Sequence, residues 1–199
     1  MLDRTIPFYN TIMRCDGCQH IDLNLPSGFS IEPYKRGYEK AWAELEYGIG
    51  DFDSLEDAQQ YFAETYLRDD AVTDNILFLL NEDGTVIGSC IAWRDMRNGY
   101  LVSSLHWLVV EDRYTGSGLG RALCSAVMNI YENKKQFPVY IHTQPWSWKA
   151  IFLYLSLGFR LQKVDTFSHY ENEYDKAMGA LRKIVSDEQY AILQELSEA

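Results

Sequence analysis

The chain has 199 residues, 47% hydrophobic and 14% aromatic, which is enough to bury a sizeable core and is expected to form one domain over 1–199. A formal charge of −11 argues against a nucleic-acid surface and suits either recruitment of a cationic partner such as an amine or solubility alone. No apolar run approaches about 18 residues, and Met1-Leu2-Asp3-Arg4 does not begin a signal peptide, so a cytoplasmic protein without a membrane partner is expected.

Thr5 to Cys15 contains the extended segment Ile6-Pro7-Phe8-Tyr9, expected to lie along the domain before a turn at Asp16-Gly17. Cys15-Asp16-Gly17-Cys18, with His20 beyond, is a C-x-x-C; a tetrahedral zinc site needs a fourth ligand and usually a second pair, neither of which is visible, so no metal is expected. Four cysteines in a chain of this size do not make a disulfide framework. Phe29-Ser30-Ile31-Glu32 alternates as a first core strand. Tyr38, Trp42, Leu45 and Ile49 then mark one helix, and Leu55, Ala58, Phe62 and Tyr66 another. Ser54 is the expected N-cap of the second, with Asp57 in its first turn. Ile76–Leu80 and Val86–Trp93 read as β runs around Glu82-Asp83-Gly84-Thr85, a hairpin signature. A turn near Arg97-Asn98-Gly99 returns the chain into a long strand, Leu101 to Val110.

That strand ends in alternate glycines, Gly116, Gly118 and Gly120, and a helix pattern begins at once, with Leu119, Ala122, Leu123, Ala126, Val127 and Ile130 on one face. Strand, glycine turn and helix N-terminus leave backbone N–H groups pointing one way with the positive end of the helix dipole behind them, a pocket for a phosphate or pyrophosphate. Gly120 is followed by Arg121-Ala122, not by Lys-Ser/Thr, which excludes a Walker A loop. G-x-G-x-G also differs from the dinucleotide fingerprint. Val139-Tyr140-Ile141-His142-Thr143 is a short strand bounded by Pro138 and Pro145. In the helix that follows, Ala150, Leu153, Tyr154 and Leu157 share a face, Ser147 is the expected N-cap and Gly158 ends it. Leu161 and the Thr166-Phe167 region are expected to supply the last strands. Two helical patterns come after about Tyr170, one through Tyr174, Ala177, Met178, Leu181 and Val185, the other capped by Ser186 with Tyr190, Leu193 and Leu196. They form an appendage, a homodimer surface or a wall of an acceptor pocket. The order suits an α/β (α+β) fold with a mixed, mostly antiparallel sheet, helices on both faces and a C-terminal helical extension beyond a core of about 29–169.

The glycine segment resembles the acetyl-CoA pyrophosphate loop of the GNAT superfamily of N-acetyltransferases, Arg/Gln-x-x-Gly-x-Gly/Ala. The pattern glycines fall on Gly118 and Gly120, and the Arg/Gln position on Thr115, a departure that leaves the cradle to the backbone from Gly116 to Arg121. The family's second motif, Asn-x-x-Ala-x-x-x-Tyr-x-x-x-Gly-Phe, is matched by Ser147, Ala150, Tyr154, Gly158 and Phe159, with Ser147 in place of Asn. The resemblance implies the GNAT-like fold, acetyl-CoA as co-substrate and an amine acceptor. Thr115, Gly116, Ser117, Gly118, Leu119, Gly120, Arg121, Ser147 and Ala150 would then bind the cofactor. A strand N–H among Leu108, Val109 and Val110, that of Val110 above all, would polarise the acetyl carbonyl. Tyr154 matches the family tyrosine that serves as acid toward the thiolate. His106 stands where arylalkylamine acetyltransferases of the superfamily carry a histidine on the proton route, and histidine titrates near neutral pH; His142 is a second candidate base. Glu44, Glu46, Asp51 and Asp53 belong to the two-helix region that borders the acceptor in relatives and are expected to be solvated. Trp146 and Trp148 could line the acceptor or pantetheine path, or pack in the core. A sensor that holds acyl-CoA without turnover, and an acyltransferase using a larger acyl-CoA, are the competing readings.

Overall fold

The computed structural model describes residues 3–68 and 73–199; Met1 and Leu2, part of the N-terminal reading above, lie outside the described residues. Eight strands alternate with six α-helices among them. The strands are β1 (Thr11–Cys15), β2 (Ser30–Pro33), β3 (Ile76–Leu80), β4 (Val86–Arg97), β5 (Tyr100–Val110), β6 (Val139–Thr143), β7 (Arg160–Gln162) and β8 (Ser197–Glu198). The helices are α1 (Tyr38–Ile49), α2 (Leu55–Tyr66), α3 (Leu119–Lys134), α4 (Trp148–Ser156), α5 (Tyr174–Leu181) and α6 (Asp187–Glu195). Hydrogen bonding orders the sheet β2-β3-β4-β5-β6-β1-β7-β8. Pairs β1–β6, β1–β7, β2–β3 and β3–β4 are antiparallel, β5–β6 and β7–β8 parallel. This is the mixed α/β sheet expected.

The chain divides into two compact units. The first holds residues 19–93 and 105–134. Its sheet is two-faced: Ile76, Phe78 and Leu80 on β3 join Trp42 and Ala43 of α1 and Ala58, Phe62 and Tyr66 of α2 in one buried cluster. Alternate residues Leu77 and Leu79 are buried on the other side, and α3 packs against β3. Helix α2 starts where its sequence says: the Ser54 side chain accepts from the Asp57 N–H at 3.0 Å. The β3–β4 turn is organised by Asn81, whose side-chain oxygen accepts from the N–H groups of Asp83 and Thr85. Gly88 on β4 is needed for close approach, because a Cβ there would lie 2.7 Å from the Val109 carbonyl oxygen of β5.

The second unit holds, among the described residues, 3–18, 94–104 and 135–199. Here the first strand is β1, not Phe29–Glu32: Thr11–Cys15 lies between β6 and β7 and is almost wholly buried. β2 lies at the opposite edge of the strand order, with its side chains only partly covered. Thr166-Phe167 is not a strand. It follows Asp165, which accepts from Arg97 and from the Tyr140 hydroxyl, and its place beside β7 is taken by β8 from the C-terminus. Burial raises the Asp165 carboxyl, but the hydrogen bonds from Arg97, Tyr140 and the Thr166 N–H outweigh it and hold its pKa below the ordinary value. Helix α6 opens with a reciprocal capping box between Ser186 and Gln189.

Gly88→Ala forces its methyl against a backbone carbonyl that cannot rotate away. It is expected to cost about 1–3 kcal/mol, read in a thermal melt as a Tm lower by about 2–4 °C per kcal/mol; an unchanged Tm would contradict that close approach.

Candidate functional site

In the first unit, β5 carries the expected strand residues. His106 is half-buried beside Trp93, ring centroids 6.1 Å apart; Leu108 and Val110 are half-buried and Val109 is buried. Trp107, which sequence reasoning did not single out, has φ +50° within the strand. A bulky residue in the left-handed region costs about 1–2 kcal/mol and persists only when its surroundings fix it. Here Trp42, Phe52 and Tyr61 each pack against the indole at 5.5 Å. The buried Ser89 hydroxyl donates to the Trp107 carbonyl at 3.4 Å.

Beyond β5, a 3-10 turn at Asp112–Tyr114 leads through Thr115 to the glycines. Gly116 (φ +83°) and Gly118 (φ +86°) are left-handed, and a Cβ at either would meet nothing within 4 Å. Their glycines are therefore required by backbone conformation, and the side of the loop they face is open. Gly120 is not left-handed; it lies in the first turn of α3. The first ladder bond of α3 runs from the Ala122 N–H to the Gly118 carbonyl, so the N–H groups of Leu119 and Gly120 precede the helical ladder. No acidic residue occupies the first turn of α3, in contrast to α1, α2, α5 and α6. Open glycines and an N-terminus free of carboxylates are what an anionic pyrophosphate requires. Tyr114, which the sequence did not single out, anchors the loop: its ring meets Phe29 edge-on at 5.7 Å, and its hydroxyl accepts from the Asn81 amide at 3.4 Å. Ser117 donates its hydroxyl back to the Tyr114 carbonyl. Thr115 and Arg121 are exposed. A cleft of about 420 Å³ adjoins this region, with Ala41, Leu45, Ile49, Val86 and Val109 as its apolar lining and Glu44, Glu111, Asp112 and Arg113 as its charged one.

The four acids of the two-helix region divide. Glu44, Asp51 and Asp53 are exposed as expected, but Glu46 is 1% exposed and its Oε1 has no hydrogen-bond partner. The correction follows from helix phase: Glu46 is one turn after Trp42 on the face of α1 that packs on the core. Burial, and then the negative charge of Asp51, pushes its carboxyl well above the ordinary range.

The second unit carries Ser147, Ala150 and Tyr154. Ser147 precedes α4 as expected, but its hydroxyl does not cap the helix and instead accepts from the Gln144 amide at 3.0 Å. Pro145–Ser147 form a 3-10 turn, which takes the hydroxyl out of capping position. Ala150 and Leu153 are half-buried; the buried face of α4 is Ile151, Tyr154 and Leu155. Tyr154 meets Phe159 edge-on at 6.1 Å. Left-handed Gly158 (φ +96°) ends the segment. His142 is held as a packed residue, stacked on Tyr170 at 3.7 Å with Nε2 2.8 Å from the Asn10 side-chain oxygen. Trp146 lies under the Arg4 guanidinium at 4.5 Å and against Phe8. Trp148 packs on Phe152. Cys15 is buried and Cys18 half-buried, both as thiols, and among the described residues no group of three or more His, Cys, Asp or Glu is placed to hold a metal.

Residues 33–159, more than half of the chain, match the model of the acetyltransferase (GNAT) family. The chain belongs to that family. Comparison with curated protein sequences finds no match. Among solved structures, it resembles a GCN5-related N-acetyltransferase from Sphaerobacter thermophilus at TM-score 0.62 and 18% identity, over 77% of this chain and 48% of that one. This chain thus spans about half the length of that relative. It also resembles an aminoglycoside N-acetyltransferase in complex with CoA (TM-score 0.56, 20% identity, 75% of this chain and 98% of that one). A third likeness is to glucosamine-6-phosphate N-acetyltransferase from Arabidopsis thaliana (0.53, 17%, 72% and 99%). At these identities the likenesses establish the fold.

Glu46 binds a proton in the folded state at pH values where the unfolded chain, with the ordinary value of 4.5, has lost it. Wild-type stability therefore falls as pH rises above about 4.5 through this group. Glu46→Gln is free of that loss. The variant's Tm is expected to gain on wild type as pH rises above about 4.5; parallel melting curves through that rise would contradict the burial of an unpaired carboxyl.

Proposed function

We propose that this chain is an acetyl-CoA-dependent N-acetyltransferase that moves an acetyl group to a primary amine of a small molecule or peptide by direct attack in a ternary complex. The observation that carries the reading is the loop from Thr115 to Arg121. Its left-handed glycines face open space and lead into a helix whose first turn lacks acids. Backbone N–H groups there would take the pyrophosphate, with Ser147 and Ala150 of the second motif as further cofactor contacts. The acidic balance of the chain, −11, favours a cationic acceptor over an anionic one. We further propose a cytoplasmic protein of one functional domain, with homodimerisation through the C-terminal helices as a property to be measured.

Acetyl-CoA supplies an acyl group already activated as a thioester. The chain's own work is threefold. An amine is cationic at neutral pH and must lose a proton before it can attack, and His106, half-buried on β5, is the group assigned to take or relay it. The backbone N–H of Val110, with Leu108 and Val109 as its strand neighbours, stabilises negative charge on the carbonyl oxygen as the bond forms. The Tyr154 hydroxyl gives its proton to the departing sulfur, so that amine deprotonation and thiol protonation balance. Trp107 serves this arrangement indirectly, since its left-handed turn sets the direction in which the strand continues through Leu108 to Val110.

The test is amine-dependent thioester cleavage, followed with a thiol reagent over a panel of amines. Tyr154→Phe is expected to lower kcat about a hundredfold while the affinity for coenzyme A stays near wild type. His106→Gln is expected to change the shape of the pH–rate profile. Wild-type turnover in Tyr154→Phe, or an unmoved profile in His106→Gln, would remove that residue from the mechanism. A folded enzyme that binds acetyl-CoA but never cleaves it with any amine would favour the sensor reading, and cleavage only of longer acyl-CoA the larger-donor one.

A further inference from the structure

Tyr114, at the entrance to the glycine loop, has its N–H, its carbonyl, its hydroxyl and its ring all engaged. The N–H donates to the Glu111 carbonyl at 2.9 Å, and the carbonyl accepts from Ser117 twice, from its N–H at 3.4 Å and its hydroxyl at 2.5 Å. The hydroxyl accepts from the Asn81 amide at 3.4 Å, and the ring meets Phe29 edge-on at 5.7 Å. The Arg113 guanidinium lies 5.0 Å from the centre of the same ring while paired with Glu111 at 2.9 Å. The next four residues are different in kind. Thr115 to Gly118 are exposed, the two left-handed glycines have no side chain to pack, and Ser117 commits its hydroxyl proton to Tyr114. What fixes the loop lies at its ends: α3, with buried Leu119, on one side and Tyr114 on the other.

The groups that hold Tyr114 are themselves held. β2 and β3 pair antiparallel with Ser30 opposite Leu80, which sets Phe29, the residue before β2, beside Asn81, the residue after β3. Asn81 accepts through Oδ1 from the N–H groups of Asp83 and Thr85, so the turn orients its amide and leaves the NH2 side to Tyr114. The Phe29 N–H donates to the Pro26 carbonyl at 3.3 Å. Further back, Asn129 on α3 clamps Ile21, accepting from its N–H and donating to its carbonyl at 2.8 Å each. The connection ahead of β2 is therefore tied to α3 at Ile21 and to the loop at Phe29. Glycine loses more conformational freedom on ordering than any other residue, and a ligand that must order a loose loop binds more weakly for it. A loop that starts from a residue tied at every group has part of that ordering done beforehand.

We propose that Tyr114 is the positioning residue of the pyrophosphate loop: through its ring on Phe29 and its hydroxyl on Asn81 it holds Thr115 to Gly120 in the conformation that receives the ligand, and it acts through the loop backbone rather than by touching that ligand. The inference rests on the acetyltransferase reading for naming the ligand acetyl-CoA; the fixing of the ligand-free loop does not require that reading. Its consequence is selective. A change at Tyr114 weakens ligands that carry the pyrophosphate and leaves the pantetheine arm, which other residues would hold, as it was.

The test uses two variants of the full chain. Tyr114→Leu removes ring and hydroxyl together; Tyr114→Phe keeps the ring on Phe29 and loses only the bond from Asn81, and it decides the matter should Tyr114→Leu fail to fold. Calorimetry compares acetyl-CoA with acetyl-pantetheine, the same thioester without the pyrophosphate, titrated to millimolar concentration. Amide hydrogen exchange over residues 115–118 is followed with no ligand present. Tyr114→Leu is expected to bind acetyl-CoA about tenfold more weakly than wild type and Tyr114→Phe about threefold, with no matching loss for acetyl-pantetheine. Exchange at Thr115 and Ser117, whose N–H groups donate to the Asp112 and Tyr114 carbonyls, is expected to quicken in the same order. Wild-type affinity for acetyl-CoA in the folded variants, an equal loss for both thioesters, or exchange at the wild-type rate would each overturn the proposal. Wild type that binds no acetyl-CoA would instead remove the acetyltransferase reading, and the exchange rates would still decide whether Tyr114 fixes the loop.

Discussion

A single residue, Trp107, sits in a left-handed conformation inside an eleven-residue strand, and much of the first unit is arranged to hold it there. The local cost is about 1–2 kcal/mol. It is met by packing: the indole touches Trp42 from α1, Phe52 from the inter-helix connection and Tyr61 from α2, while Ser89 on β4 bonds its carbonyl. The same strand approaches Gly88 so closely that no side chain fits between them. Two independent constraints therefore fix β5 on either side of Leu108, immediately before the chain turns into the glycine loop. Strain held by surroundings in this way is common where a backbone group must point in a set direction.

The two compact units meet different demands. The core of the first is aromatic, and among its described residues Glu46 is the buried carboxyl, with no hydrogen-bond partner at Oε1. The second is knitted by polar contacts, with Asp165 receiving Arg97 and the Tyr140 hydroxyl, and Asn172 donating to the carbonyls of Gln162 and Asp165 at 2.8 Å each. Satisfied networks of that sort rigidify the part of the structure they join.

What the sequence disclosed follows the range of the physics involved. Helices α1 and α2, the Ser54 cap, the β3–β4 turn and the Asn98-Gly99 turn are local, set by spacing and by residues that tolerate positive φ, and they were legible. So was the loop, because Gly116 and Gly118 answer to backbone conformation. Three features were not. β1 owes its place to β6 and β7, more than a hundred residues away, and nothing within Thr11–Cys15 announces that. β8 pairs with β7 through residues read as the end of a helix. Glu46 looked solvated because carboxylates usually are; only the phase of α1 against Trp42, Tyr66 and Trp107 shows that it faces inward. Ser147 was placed correctly at the start of α4 but misread in its bonding, since a hydroxyl's partner depends on Gln144 and on a 3-10 turn that spacing does not reveal.

We propose that the loop from Gly116 to Arg121 holds the pyrophosphate of acetyl-CoA by its backbone. Titration calorimetry of the purified protein with acetyl-CoA, alongside Gly118→Glu, tests it most directly. The variant puts a carboxylate on a left-handed position in the open cradle. Saturable binding to wild type that vanishes in a variant of native circular dichroism is the predicted result; no binding to the folded wild type, or equal binding to both, would contradict the account.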